Sequence, residues 1–322
     1  MSVPIRRQPA GRNPISPTPR SQPATRTRVT LPIRTIRHHF RFTPGLLKLE
    51  HQGPIIACDF YIDGAEKGNE ITGGYEIDGI TNIDHHAPTS RMMRHVSSTN
   101  LAIEHMQHEG PAPHNSLVII SHTDCDSVLS SAIMSGDLTP DARFGEAAIA
   151  ADHTGAPDGI ADVLQSLEER RDLYFSLRNL RKLLEGEPLD RIAQPFYAKR
   201  LRKREAAAEA IAASKIRVES SLAFGVLEEK LDGEFFPAKL PNAAVILIMT
   251  PRSDPGRWDA KMRLGLNAPT GAGLQNLGTA RFDPAFAGRW NAGSNSRNGG
   301  TGIEPEVYAR HVAEAMRDAW GI

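Results

Sequence analysis

Three times in the first half of the chain a short apolar run stops and aspartate or histidine follows at once. Asp84-His85-His86 come after GITNI, His122, Asp124 and Asp126 come after LVIIS, and Asp152-His153 come after AAIAA. Asp59, at the end of PIIAC, repeats the design. Short, nearly continuous apolar runs of this kind read as strands buried on both faces. In an open parallel sheet the carboxyl ends of the strands share one crevice, and that crevice is where ligands bind. Segments far apart in the chain are therefore expected to meet there.

The intervening segments fit such a sheet. SSTNLAIEHMQHEG reads as a helix capped by Ser98 or Thr99 and stopped at Gly110, and SVLSSAIMSG reads as a second helix ending at Gly136. GEAAIAADHTGAPDG reads as a further helix or strand piece entering a loop. Strands alternating with helices imply an α/β fold with a doubly wound, mostly parallel sheet. From about Asp162 to Ile216 the apolar positions recur at three and four, which predicts a helical connector broken near Gly186-Glu187-Pro188. A second, smaller α/β domain is expected beyond it. Its strands are SSLAFGVLEEKL, NAAVILIMTP and WDAKMRLGLN, followed by a glycine-rich stretch from Gly271 to Gly302 and a closing amphipathic helix, EPEVYARHVAEAMRDAW. The expected boundaries are 1–42, 43–160, 161–218 and 219–322.

Composition narrows the class. The chain has 322 residues, 40% of them hydrophobic and 24% charged, as in globular proteins. No apolar run approaches the roughly 18 residues of a membrane span. Two cysteines without a CxxC spacing make no disulfide framework, so a reducing, cytoplasmic setting is expected. The zero net charge hides an asymmetry. Residues 1–42 carry nine arginines and no acid, so the rest of the chain carries −9. Self-repulsion and the prolines of PISPTPRSQPATR predict an unfolded basic leader. An arm that contacts nucleic acid and an organelle transit peptide are the alternatives.

Carboxylates gathered in one crevice repel, and each loses hydration on burial. A divalent cation resolves both costs, and a carboxylate–imidazole mixture without thiolate suits Mn²⁺, Mg²⁺ or Fe²⁺. Cys125, between two candidate ligands, is read as packing. Two ions bridged by a carboxylate can activate a water and clamp a phosphoryl group.

These residues resemble the DHH phosphoesterase superfamily. NIDHHAPTS matches the motif that names it, SSTNLAIEHM is similar to the helix start that follows in the family, and HTDCDSVLSS resembles its Asp-x-Asp motif with Ser130 four residues on. ADHTG stands for the last aspartate motif, and GRWNAGSNSRNGGT is similar to the glycine-rich loop of the family's second domain, DHHA1. The motif order differs: Asp-x-Asp normally precedes DHH, so the sheet is expected to be permuted. Ile120 stands where phosphatase-like branches carry histidine, His122 where the exonuclease branch carries an acid, and Ser294-Asn295 where Gly-His is usual.

The resemblance implies that Asp84, His85, Asp124, Asp126 and Asp152 are metal ligands, with His122 and Asp59 as further members, for two ions of Mn²⁺ or Mg²⁺. It implies that His86 is a ligand or a hydrogen bonder to the attacked phosphate. Asn295, Arg297, Gly299, Gly300 and Thr301 then stand as the substrate loop, with His86 and Arg297 stabilising charge during reaction. The implied activity is hydrolysis of a phosphodiester or phosphoanhydride in a nucleotide, oligonucleotide or polyphosphate. A non-catalytic nucleotide or nucleic-acid binder on the same fold is the alternative, and the expected assembly admits a homodimer.

Overall fold

The computed structural model describes residues 30–36, 41–86 and 96–322. Most of the basic leader, including Arg6, Arg7, Arg12, Arg20, Arg26, Arg28 and Arg37, lies outside the described residues. Two six-stranded mixed sheets, each flanked by helices, form a two-domain α/β fold. Among the described residues no helix is long and apolar enough to cross a membrane.

The first sheet starts earlier than Thr43. Strand β1 (Ile33–Thr35) pairs in parallel with a strand 85 residues later, Ile33 opposite Val118. Leu31 is buried in the same core. Helix α1 (Pro44–Lys48) follows, capped by Thr43, whose hydroxyl accepts from the Leu46 amide, and with proline at a position where no amide hydrogen is missed. Strand β2 (Ile55–Cys58) is wholly buried. Strands β3 (Asn69–Ile71), β4 (Gly74–Ile77) and β5 (Ile80–Ile83) form an antiparallel meander. Asp78 and Gly79 close its second turn, both at positive φ, the conformation that a two-residue hairpin of the Asp-Gly kind requires.

Helix α2 (Ser98–His108) begins with a reciprocal cap between Ser97 and Asn100. After it come β6 (Leu117–Ile120) and helix α3 (Cys125–Met134), whose cap is the Asp124 side chain. The strand order β1-β6-β2-β5-β4-β3 sets β6, β2 and β5 side by side and parallel. Their carboxyl ends are therefore neighbours, at Ser121-His122, Asp59 and Asp84.

Alternation along each strand divides the core. Ile56, Cys58, Ile83, Val118 and Ile120 face a large cluster with the helices, whereas Ile55, Ala57, Ile80, Leu117 and Ile119 face Phe42, Leu47, Phe60 and Ile62. Both faces are covered, which explains the nearly unbroken apolar runs. Among the described residues the winding is lopsided, since α1 and its neighbouring loops cover the second face.

The reading of AAIAA as a strand is corrected by the structure. Helix α4 (Ala142–Ile149) runs directly into one π-helical turn, Ala150–Thr154, which carries Asp152 and His153. Alanine-rich sequence favours helix over strand, and the wider turn ends at Gly155, in the left-handed region at φ +64. Helices α5 (Gly159–Leu167) and α6 (Leu173–Leu184) pack into the first core, and the chain breaks at Gly186 before α7 (Gln194–Ala212). The far end of α7 packs through Ala207 and Ala210 against the second sheet.

That sheet comprises β7 (Ile216–Glu219), β8 (Leu222–Val226), β9 (Val245–Pro251), β10 (Trp258–Leu264), β11 (Ala287–Gly288) and β12 (Ala292–Ser294), in the order β11-β12-β10-β9-β8-β7. Helix α8 (Pro305–Trp320) packs on it through Tyr308, Val312 and Met316.

A buried polar seam joins the two halves. Asp162 on α5 accepts from Arg200 Nε at 2.8 Å and from Arg204 Nε and Nη2 at 3.1 and 2.6 Å. Arg200 continues to Glu234 at 2.9 Å, and Arg204 Nη1 donates to the Gly155 carbonyl at 2.6 Å. Both guanidinium groups lie over the Phe235 ring at under 5 Å. At Gly155 a Cβ would fall 1.7 Å from the Glu234 carbonyl oxygen, so only glycine permits this close approach of the domains.

Candidate metal centre

The three strand ends and the π turn converge on one cavity of about 190 Å³. Asp59 sits between its histidines. Its Oδ1 lies 3.6 Å from His85 Nε2 and 3.9 Å from His86 Nδ1, and its Oδ2 lies 3.2 Å from His122 Nε2. His122 Nε2 is also 3.1 Å from Asp124 Oδ2. His85 Nε2 faces Asp126 Oδ2 and Asp152 Oδ2, each at 3.8 Å. Three groups of potential ligand atoms result: Asp59 with His85 and His86, Asp59 with His122 and Asp124, and His85 with Asp126 and Asp152.

Local structure aims these side chains. Asp59 sits at φ +61, an uncommon backbone state that aspartate tolerates better than most residues and that turns it sharply off the end of β2. The Ser98 and Ser127 hydroxyls donate to its two oxygens at 3.0 and 2.6 Å. His85 donates from Nδ1 to the Val96 carbonyl at 2.8 Å, an acceptor that fixes the tautomer with the Nε2 lone pair toward the carboxylates. Asp84 is buried; its Oδ1 accepts from His86 Nδ1 at 2.7 Å, while its Oδ2 is buried without a partner. Asp126 is already well used. Its oxygens accept from the Ser98 and Thr99 amides, each at 2.7 Å, and from the Thr99 hydroxyl at 2.6 Å, so it pins the N-terminus of α2.

Charge and burial contend here. Burial pushes His85 down and keeps it neutral, with His86 beside it acting in the same direction. Burial opposes protonation at His86 and His122 as well, but neighbouring carboxylates prevail. Asp84 chiefly raises His86 to about 9, and Asp124 with Asp59 raises His122 to about 12. Asp59 is held well below the usual carboxylate range by the three histidines despite its burial. Asp126 and Asp152 are pushed up by burial and by the carboxylates around them.

A divalent cation fits this donor set. The neutral His85 lone pair points at three carboxylates, and a cation among them would offset their repulsion; the buried Asp84 Oδ2, outside those three groups of ligand atoms, has no hydrogen-bond donor. Cys58 and Cys125 are buried with their thiols pushed up by desolvation, so the donors are oxygen and imidazole nitrogen. Because His122 is protonated near neutrality and Asp152 is pushed toward its protonated form, an incoming ion has to displace protons there. Binding of Mn²⁺ is therefore expected to release on the order of one proton per ion and to tighten between pH 6 and 8. Calorimetry in buffers of different protonation enthalpy measures this. A binding heat that is independent of buffer, with a flat affinity, contradicts it.

The second domain supplies the opposite wall, but not with the glycine-rich residues expected from sequence. Asn295 is wholly buried: its Oδ1 accepts from the Ala260 amide and its Nδ2 donates to Asp283, so its side chain is structural. Arg297 is exposed, Gly299 offers its carbonyl to Arg257, Gly300 makes a turn, and Thr301 pairs with Trp258. None of these five lines the cavity. Arg263 of β10 and Arg289, Trp290 and Asn291 from the turn between β11 and β12 do so, together with Gln165, Glu168 and Glu234. Arg263 Nη2 also donates to the Asp152 carbonyl at 2.8 Å. An arginine next to a tryptophan in a two-strand turn is the signal in the sequence that marks this wall.

No family model matches the chain, and no curated protein matches its sequence. Among solved structures it is similar to the pGpG-specific phosphodiesterase PggH from Vibrio cholerae, at 12% identity and a TM-score of 0.38, over 83% of this chain and 99% of that one. It is also similar to an exopolyphosphatase-related protein from Bacteroides fragilis, at 16% identity and a TM-score of 0.34, over 84% of this chain and 73% of that one. Likenesses this distant assign no substrate. The resemblance to the DHH phosphoesterases therefore stands on the residues themselves, on Asp84-His85-His86, the Asp124-x-Asp126 pair and the aspartates that meet them at the strand ends.

Proposed function

We propose that the chain is a divalent-metal-dependent phosphoesterase that hydrolyses a phosphodiester or phosphoanhydride. The observation that carries this reading is Asp59, one buried carboxylate with each oxygen turned to a different acid–imidazole group, opposite two arginines. Asp84 and His85 on one side, His122 and Asp124 on the other, with Asp152 at the rim and Asp59 between, would hold two Mn²⁺ or Mg²⁺ ions. Asp126 would act mainly by fixing α2. When bound, such ions lower the pKa of a water and neutralise charge on a phosphoryl group.

The chain's own groups do the rest. Arg263 and Arg289 bind phosphoryl oxygens from the wall opposite the ions, where a guanidinium fork matches their geometry. His86 holds a proton at Nδ1 against Asp84, and its positive charge stabilises the charge that builds on those oxygens. The hydroxyls of Ser98 and Ser127 hold Asp59 in its aim. The domain seam keeps bulk water from the wall between Glu234 and the π turn, which strengthens each of these interactions.

The test is metal analysis of the purified protein with turnover of bis(p-nitrophenyl) phosphate, with and without Mn²⁺. Mn²⁺-dependent hydrolysis is expected, and Asp124→Ala or His85→Ala should reduce it to background with the fold intact. Activity that survives both substitutions would sink the mechanism. A wild-type protein that binds ions and nucleotides without turnover would instead be the non-catalytic binder.

A further inference from the structure

Three residues of the cavity wall, Trp290, Asn291 and Gln165, have no part in the reaction just described. The turn between β11 and β12 is stiff. Arg289 donates its amide to the Ala292 carbonyl at 2.9 Å, the Trp290 carbonyl accepts from Leu274 at 2.7 Å, and the Asn291 carbonyl accepts from Leu264 at 2.8 Å. It presents the half-buried Trp290 ring to the cavity, 5.9 Å from the His153 ring between centroids. Beside it the Asn291 Oδ1 is buried without a hydrogen-bond partner, and so is the Oε1 of Gln165, at the end of α5 on the same cavity.

We infer that Trp290, Asn291 and Gln165 form a binding site for the base of a nucleoside phosphate, whose phosphate lies against Arg289. The placement of the phosphate rests on the phosphoesterase reading; the base site rests on the wall itself. A carboxamide carries a donor and an acceptor on one plane, and the buried oxygen of each of these amides lacks a donor. A polyphosphate chain carries acceptors only and cannot supply one. A base edge sets an N–H beside an acceptor, the pattern that asparagine and glutamine read with two hydrogen bonds on adenine. An aromatic ring adds nothing for a chain of phosphates, whereas every base has a face to lay on it. A wall for polyphosphate would carry cations and hydroxyls where this one carries an indole and two amides.

The test is calorimetric titration of the full chain with Mn²⁺, using AMP, ribose 5-phosphate and tripolyphosphate, with released phosphate assayed in parallel. AMP is expected to bind at least about tenfold more tightly than ribose 5-phosphate. Trp290→Ala should bring that ratio close to one, Trp290→Phe should keep most of it, and Asn291→Ala should lower it in part. A wild-type ratio near one overturns the inference, and so does a ratio that Trp290→Ala leaves unchanged. Tripolyphosphate affinity falling as far as that of AMP in Trp290→Ala also overturns it, since that marks a collapsed turn. An AMP preference without Mn²⁺-dependent turnover of either bis(p-nitrophenyl) phosphate or tripolyphosphate refutes the phosphoesterase reading and leaves the base site standing; turnover without the preference does the reverse.

Discussion

Asp59→Asn is expected to lower Mn²⁺-dependent turnover by at least about 10³-fold, well beyond the roughly 10–100-fold that follows loss of an outer hydrogen-bond partner. The substitution keeps the shape and, like aspartate, tolerates the positive φ at this position, so the backbone off β2 is not strained further. What disappears is the negative charge that two ligand groups share. A ligand serving one ion would cost the protein one; this one should cost both, and metal content per chain should fall for the pair together. One serine hydroxyl keeps its acceptor in the amide oxygen and the other can turn to accept from the amide nitrogen, so thermal unfolding of the metal-free protein should shift little. Retention of half the activity with full metal content would show that Asp59 is not the shared ligand.

The largest effect on stability is expected at Asp162. Its carboxylate is buried between Arg200 and Arg204, whose side chains are themselves about nine-tenths buried. Removing one partner from a buried ion group leaves the opposite charges without compensation, which typically costs about 3–5 kcal/mol. Here two guanidiniums depend on one acid. Arg204 retains the carbonyls of Gly155 and Ala156, and Arg200 retains Glu234, so the cost falls within that range rather than above it. Urea denaturation of Asp162→Ala checks it; a loss below about 1 kcal/mol would mean that these carbonyls and Glu234 suffice.

The sequence makes the first half of the candidate site legible because each Asp/His motif directly follows an apolar run, and the parallel order of β6, β2 and β5 turns that local pattern into a shared place. Asp152 was legible as a residue but not as part of its element. AAIAA has the apolar content of a strand and the alanine content of a helix, and packing of α4 against α2 and α3 decides for the helix. The Asp78-Gly79 turn was readable by its chemistry, although the short β3 before it has no periodic signal of its own. The other wall was hidden for a different reason. Alternation marks Arg263 as off the core face of β10 but cannot say that another domain covers it. The glycines of 293–302 draw the eye to a loop whose polar groups are spent on Ala260, Asp283 and Arg257, while the turn that lines the cavity, Arg289-Trp290-Asn291, lies a few residues upstream.

The π turn at Ala150–Thr154 is gripped from three directions. Arg263 holds the carbonyl of Asp152, Trp290 lies near His153, and Arg204 holds the carbonyl of Gly155 where the turn ends. Two of those grips come from the second domain. A swing of that domain away from the first would let go of the turn and shift the aspartate at its centre; on the proposed reading, departure of product and loosening of an ion's coordination would be a single mechanical event.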